Sequence, residues 1–303
     1  MFEKFLSFIE IKTKITSVFA FLLALAYLFY IKQPIDWLAT SVFFASMFIF
    51  DLTTTAINNY IDTKTNHQTL QFKRNHALAI LLLLLATSTV LGIYLVVLTD
   101  LVVLFMGGIC FLSGILYTFG PIPISRLPLG EIISGLFYGF FIPFLMLYIN
   151  MPEGTFLTFD LNTTSMAFYL RLNILPIITI ILLSVAPVCT TANIMLANNI
   201  CDLEKDVKVK RYTLPYYIGE KSITLFAWIY YVTYIATILM VLLNILSPLV
   251  LLSLLNIFLV NKHIKQFYKV QNKETTFLVS IKNYIIIMGS NTLLIFLSGL
   301  LPC

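Results

Sequence analysis

Asn58-Asn59-Tyr60-Ile61-Asp62 and Asn198-Asn199-Ile200-Cys201-Asp202-Leu203-Glu204-Lys205-Asp206 share the pattern N-N-x-x-D, 140 positions apart, and each follows a long apolar run. On a helix, residues four apart lie on one face. Asn58 with Asp62, and Asn198 with Asp202 and Asp206, therefore predict two stripes of side-chain oxygen. Hard divalent cations such as Mg²⁺ take oxygen ligands and bind through a few carboxylates together with substrate phosphates. Two such stripes facing one another predict a metal and diphosphate site. A lone motif reads equally well as the solvated end of a helix; two copies closing spans on one side favour the metal site.

The rest of the chain is built for lipid. Of its 303 residues 59% are hydrophobic and only 11% charged, with a mean hydropathy of +0.94. Soluble domains carry about 25% charged residues, so a polytopic membrane protein is expected. Apolar runs of spanning length are read at about 15–31, 38–57, 76–97, 101–119, 130–149, 172–197, 223–245, 248–261 and 281–300. The eighth is short. Residues 1–14 read as an interfacial lead-in helix, and the segment holding Glu153 and Asp160 as a polar connection. Pro187 predicts a kink just ahead of the second motif.

Lysine and arginine set the orientation. With a cytoplasmic N-terminus and nine spans, 17 of the 19 fall on the inner side, including Lys14 and Lys273, and only Lys32 and Arg171 on the outer. That is a positive-inside bias, and it puts both motifs at the cytoplasmic face. The basic residues form no continuous face, which argues against a nucleic-acid partner. Four cysteines without paired spacing argue against a disulfide or zinc framework. No Walker loop, dinucleotide fingerprint or nucleophile elbow is present.

Cations follow the second motif: Lys205, Lys208, Lys210 and Arg211. They suit a phosphate beside a metal, and equally well the positive-inside rule; Arg211 is the strongest of them. Asp51, with Thr53, Thr54 and Thr55, makes span 2 unusually polar. Asp51, Thr55 and Asn59 are read as one seam, which either lines a cavity or bonds helix to helix.

These two motifs on nine spans resemble the UbiA superfamily of intramembrane prenyltransferases. Gly120-Pro-Ile-Pro-Ile-Ser-Arg-Leu-Pro-Leu-Gly-Glu131 and Lys210-Arg-Tyr-Thr-Leu-Pro215 resemble its 1,4-dihydroxy-2-naphthoate branch, which serves menaquinone synthesis. The resemblance covers nearly the whole chain as a single domain, 1–303, with the motifs at 58–66 and 198–211. It implies an all-α fold around a central cavity open to the cytoplasm. It also implies Mg²⁺-assisted transfer from a polyprenyl diphosphate to an aromatic acceptor. Metal ligands would be Asn58, Asp62, Asp202 and Asp206, with Asp62, Asp202 and Asp206 essential to catalysis. Asn59, Asn198, Asn199, Lys208, Arg211, Arg126 and Tyr117 would bind the donor. Asn59 stands where many members have Asp and Asn66 where some have another acid, so the first half is poorer in charge. A 4-hydroxybenzoate or haem acceptor, a small transporter using the acidic seam, and a non-catalytic lipid-binding protein are the competing readings. Oligomeric state is left open.

Overall fold

Where the apolar runs fall, helices form. The structure is a computed structural model that describes residues 2–65, 69–120, 123–162 and 165–301, without the side chains of residues 62, 64, 65, 159–162 and 168. Asn66, Cys303 and the Asp62 side chain thus lie outside the described residues. In order come α1 (Phe2–Phe8), α2 (Ile15–Tyr30), α3 (Trp37–Thr65), α4 (Arg74–Leu98) and α5 (Leu101–Thr118). Next are α6 (Gly130–Leu136), a π-helical stretch (Phe137–Phe141) and α7 (Ile142–Tyr148), one continuous crossing. A hairpin of β1 (Leu157–Asn162) and β2 (Ala167–Leu172) leads to α8 (Ile174–Lys208). The chain closes with α9 (Leu214–Ile218), α10 (Lys221–Leu242), a 3₁₀ stretch (Pro248–Asn256) running into α11 (Ile257–Lys269), and α12 (Leu278–Leu300).

Among the described residues, nine helices are long and apolar enough to cross a membrane, matching the expected nine spans. Three boundaries differ in an instructive way. Helix α3 continues through the first motif to Thr65, and α8 through the second to Lys208. Both motifs lie inside helices rather than after them. Apolar content ends where lipid ends, but the i to i−4 backbone ladder continues into water. The eighth span runs to Lys269, not 261. Its nine 3₁₀ residues at about 2.0 Å each and thirteen α residues at about 1.5 Å reach about 37 Å, enough for a ~30 Å hydrocarbon core. In α11, Val260, Ile264 and Phe267 are buried while Lys262, Lys265 and Lys269 are exposed, an amphipathic end to the span.

The polar connection is a β-hairpin, with Leu157 opposite Leu172 and Asn162 opposite Ala167. Helix α8 is continuous through Pro187, whose missing N–H leaves the Leu183 carbonyl without its helical donor. The π-helical stretch packs there: a Cβ on Gly139 would stand 2.2 Å from the Val188 nitrogen.

Packing divides unevenly. Helix α3 lies along α4, α2 along α12, and α8 along both α6 and α10. The larger core joins α2, α7, α8, α10 and α12. A smaller one tucks Phe8 and Ile9 beneath Leu52, Ala56, Ala77 and Leu81, so the lead-in segment is anchored in the protein as well as near its surface. Helices α4 and α5 turn Leu83, Val97, Phe105 and Leu112 outward. In water such a face would drive aggregation; in a bilayer it is simply lipid-facing.

Candidate active site

A largely apolar cavity of about 230 Å³ opens between α3, α5, the π-helical stretch and α8. Asp51, Thr54, Thr55 and Asn58 line it from α3, at spacings of three and four that make one helical stripe. The expected seam is therefore real, with one change. It ends in Asn58, because Asn59 points about 100° away, donating its amide to the Phe8 carbonyl (2.8 Å) and to Glu10 (3.3 Å). The seam does both things proposed for it, since Asp51 lines the cavity and also ties α3 to its neighbours.

Asp51 pairs with Lys14, Nζ to Oδ1 at 2.9 Å, with both side chains about 95% buried. Ser17 donates to Oδ2 at 2.6 Å and the Tyr138 hydroxyl to Oδ1 at 2.7 Å. Lys14, counted in the sequence among the cytoplasmic charges, is thus buried against Asp51, which lines the chamber. Its partner is 37 residues away, a pairing that only tertiary structure makes.

At the motif end, Thr118 donates to Asn58 Oδ1, and Tyr117, which also lines the cavity, reaches Met195 Sδ at 3.6 Å. Met195 lies one turn before Asn198 on α8. Both motif helices thus contribute to the cavity lining, α3 through Asn58 and α8 through Met195. No direct side-chain hydrogen bond joins the two motifs among the described residues.

The second motif is fully described. Lys273, from the turn between α11 and α12, donates to Asn198 Oδ1 and to Asp202 Oδ2, the latter at 2.6 Å. Lys205 stands 4.0 Å from the other Asp202 oxygen. Asn272 holds the Lys273 turn, its side chain accepting from the Glu274 and Thr275 nitrogens. Asp206 lies 3.7 Å from Arg211 Nε, and Arg211 also donates to the Ser125 carbonyl at 2.8 Å. The Tyr212 nitrogen bonds the Arg126 carbonyl, so the two basic loops 124–126 and 210–212 are laced together. Arg126 and Lys208 are exposed. Asn199 faces inward and donates to Glu131 at 2.9 Å, with both residues buried.

Sequence reasoning missed Lys273, Tyr138, Thr118 and Glu131 as neighbours of the site. Among the described residues no three His, Cys, Asp or Glu side chains cluster; Asp62 falls outside that statement. The oxygens present do fit a hard cation. Asn198 Oδ1 and Asp202 Oδ2, one turn apart, already converge on a single ammonium nitrogen.

Among the described residues, nine helices of membrane-crossing length and a largely apolar chamber lined by Asn58 of the first motif describe a multi-pass membrane protein. The chain belongs to the UbiA prenyltransferase family, whose match spans residues 17–284, and it is accordingly a prenyltransferase. It is similar to the 1,4-dihydroxy-2-naphthoate octaprenyltransferase of Bacillus subtilis (strain 168), with 27% identity over 234 residues, 73% of this chain and 68% of that one. Its fold is similar to the apo UbiA homologue from Aeropyrum pernix K1 (TM-score 0.65, 15% identity, 90% of this chain and 96% of that one). It is also similar to the UbiA homologue from Archaeoglobus fulgidus bound to GPP and Mg²⁺ (TM-score 0.63, 16% identity, 98% and 100%).

Proposed function

We propose that this protein transfers an isoprenyl chain from a polyprenyl diphosphate to 1,4-dihydroxy-2-naphthoate, at the cytoplasmic face of a cell membrane and with Mg²⁺. One observation carries the reading: the Asn198 and Asp202 oxygens converge on one cation position, on the same helix as Met195 of the chamber lining. The naphthoate acceptor is supported by the name of the Bacillus relative, and the metal by the ligands of the Archaeoglobus homologue.

On this reading Asn58, Asp62, Asp202 and Asp206 hold Mg²⁺, which when bound neutralises charge on the leaving diphosphate. Arg211, Lys208 and Arg126 bind the remaining phosphate charge, and Tyr117 stands where the diphosphate meets the chain. Asn59 and Asn199 brace the motif helices through Phe8, Glu10 and Glu131. The prenyl chain lies in the chamber, which extends from Asn58 to Phe43, fifteen residues or about 22 Å along α3. Its apolar wall excludes water from the reacting carbon. The allylic C–O bond breaks, and the diphosphate leaves with the electron pair. The ring carbon bearing the carboxylate forms the new C–C bond, and loss of CO₂ returns its electron pair to the ring.

The far end of the chamber is lined by Phe43, Leu95, Val103 and Leu145, apolar side chains that suit a lipid chain. The test is purified protein in nanodiscs with Mg²⁺, an isoprenyl diphosphate and candidate acceptors, read by mass spectrometry. Metal-dependent prenylation of the naphthoate with CO₂ release is expected. Transfer only to 4-hydroxybenzoate would move the acceptor, and ion flux without transfer would overturn the reading.

A further inference from the structure

The diphosphate chemistry makes no use of the Lys14–Asp51 pair, although Asp51 lines the chamber. Ionisable groups at membrane depth are costly and mark function more often than architecture. Its bonding is asymmetric. All three ammonium donors are engaged, by Asp51 Oδ1 (2.9 Å), the Asp51 carbonyl (2.9 Å) and Thr55 Oγ1. Asp51 Oδ1 also receives Tyr138. Among the described residues Asp51 Oδ2 receives only Ser17, and a carboxylate oxygen accepts two hydrogen bonds. Ser17 has a single proton and a second acceptor in reach, the Lys14 carbonyl at 3.0 Å. A ligand hydroxyl arriving at Oδ2 can therefore displace Ser17 without stranding it.

Ser17, Asp51 and Tyr138 all line the chamber. Tyr138 is aimed at Asp51 from the π-helical stretch, a helix form that recurs at functional sites. Asp51 is seven residues, or about 10 Å along the helix, from Asn58. That span holds one or two fused aromatic rings between a polar anchor and the diphosphate end.

We infer that Asp51 Oδ2 is the hydrogen-bond acceptor that grips a ring hydroxyl of the aromatic substrate, with Lys14 and Tyr138 fixing the carboxylate. The inference rests on the acceptor chemistry of the proposed function. Bonding to a carboxylate draws the hydroxyl proton outward and pushes oxygen electron density into the ring, which strengthens the carbon that attacks. The proton stays with the substrate, and Asp51 is unchanged after turnover. The chamber thus selects hydroxylated aromatics over their ethers.

The experiment measures kcat/KM in nanodiscs for a hydroxylated acceptor and for its mono-O-methyl ethers, with donor KM followed separately. Wild-type protein is expected to prefer the hydroxyl by roughly 10- to 100-fold, as for a hydrogen bond to a charged group. The double variant Lys14→Met/Asp51→Asn avoids an unpaired buried charge and leaves only a neutral acceptor; its preference should fall to about 2- to 10-fold while donor KM holds, with folding checked by thermal unfolding. Ser17→Ala removes the competitor for Oδ2 and keeps the ion pair, so acceptor KM should fall by about 2- to 10-fold. Wild-type discrimination retained in the double variant, or an unchanged acceptor KM in Ser17→Ala, overturns the inference; the second result decides it alone if the double variant does not fold. Wild-type protein that prenylates no hydroxylated aromatic overturns the proposed function along with it.

Discussion

Replacing Lys273 by methionine removes an ammonium from the spot where a metal is proposed to bind, and keeps the aliphatic stem beside Phe277, whose ring centre is 4.8 Å from Nζ. The pair with Asp202 is short at 2.6 Å, but the lysine is 36% exposed, so water and salt screen it. Such a pair is worth about 0.2–1 kcal/mol, and the added bond to Asn198 brings the total to about 1 kcal/mol. Lys273→Met should therefore fold almost normally. The same interaction must be surrendered when a metal takes the Asn198 and Asp202 oxygens. Removing it should tighten Mg²⁺ binding by about 1 kcal/mol, or roughly fivefold. Calorimetric titration of Mg²⁺ into donor-free protein in detergent checks this, with Asp202→Asn as the binding-deficient control. Unchanged or weaker Mg²⁺ affinity in Lys273→Met, with binding lost in Asp202→Asn, would refute the idea of a competing cation and make Lys273 an organiser of the site.

Asp62→Ala and Asp202→Ala should each abolish prenyl transfer in nanodiscs while membrane insertion is unchanged; normal turnover in either would remove that residue from the metal site. Asn59→Ala deletes bonds to Phe8 and Glu10 and should cost about 1 kcal/mol of stability with transfer retained. Loss of transfer at normal stability would place Asn59 against the donor. Gly139→Ala forces a methyl to 2.2 Å from the Val188 nitrogen and 2.4 Å from its Cα, and backbone cannot rotate aside. A stability loss of about 3 kcal/mol is expected, read as a lowered unfolding midpoint. Gly108→Ala, with nothing within 4 Å of its new carbon, is the control and should lose nothing.

Helices were legible because lipid enforces one rule throughout: every backbone group must be bonded within its own segment. Where that rule lapses, the reading from sequence thins out. The hairpin at 157–172 lies outside the spans, yet its signal was available, because Leu157-Thr158-Phe159-Asp160-Leu161-Asn162 alternates with period two. Surrounded by polar residues, it read as a connection. The motif positions on α8 follow from i, i+4 spacing, and the structure brings Asn198 and Asp202 to one nitrogen as that spacing implies. Which asparagine of each pair faces the site, Asn58 in the chamber and Asn198 beside Asp202, was not legible. Neighbours on a helix differ by about 100°, and only packing against Phe8 or Glu131 sets the phase. Lys273 and Lys14 were counted by topology alone, since partners 71 and 37 residues away leave no local trace. A sharper rule was within reach: an aspartate inside a span demands a counter-charge at its own depth, and Lys14 opens the first span.

The two charged centres are unlike, and the difference gives the chamber a direction. A buried ion pair seldom stabilises a protein more than a well-packed apolar pair would, so Lys14 and Asp51 are poorly explained by stability. Their charges cancel within the wall, which leaves hydrogen-bonding capacity at Oδ2 and little net field to attract a phosphate. At the second motif the arrangement is reversed. Asp202 meets Lys273 and Lys205 at 2.6 and 4.0 Å, partly open to water and in contacts that ions can exchange, and the more buried Asp206 lies 3.7 Å from Arg211. On the proposed chemistry the exchangeable charge on α8 takes the leaving diphosphate, and the neutral anchor at Asp51, about 10 Å along α3 from Asn58, takes the ring.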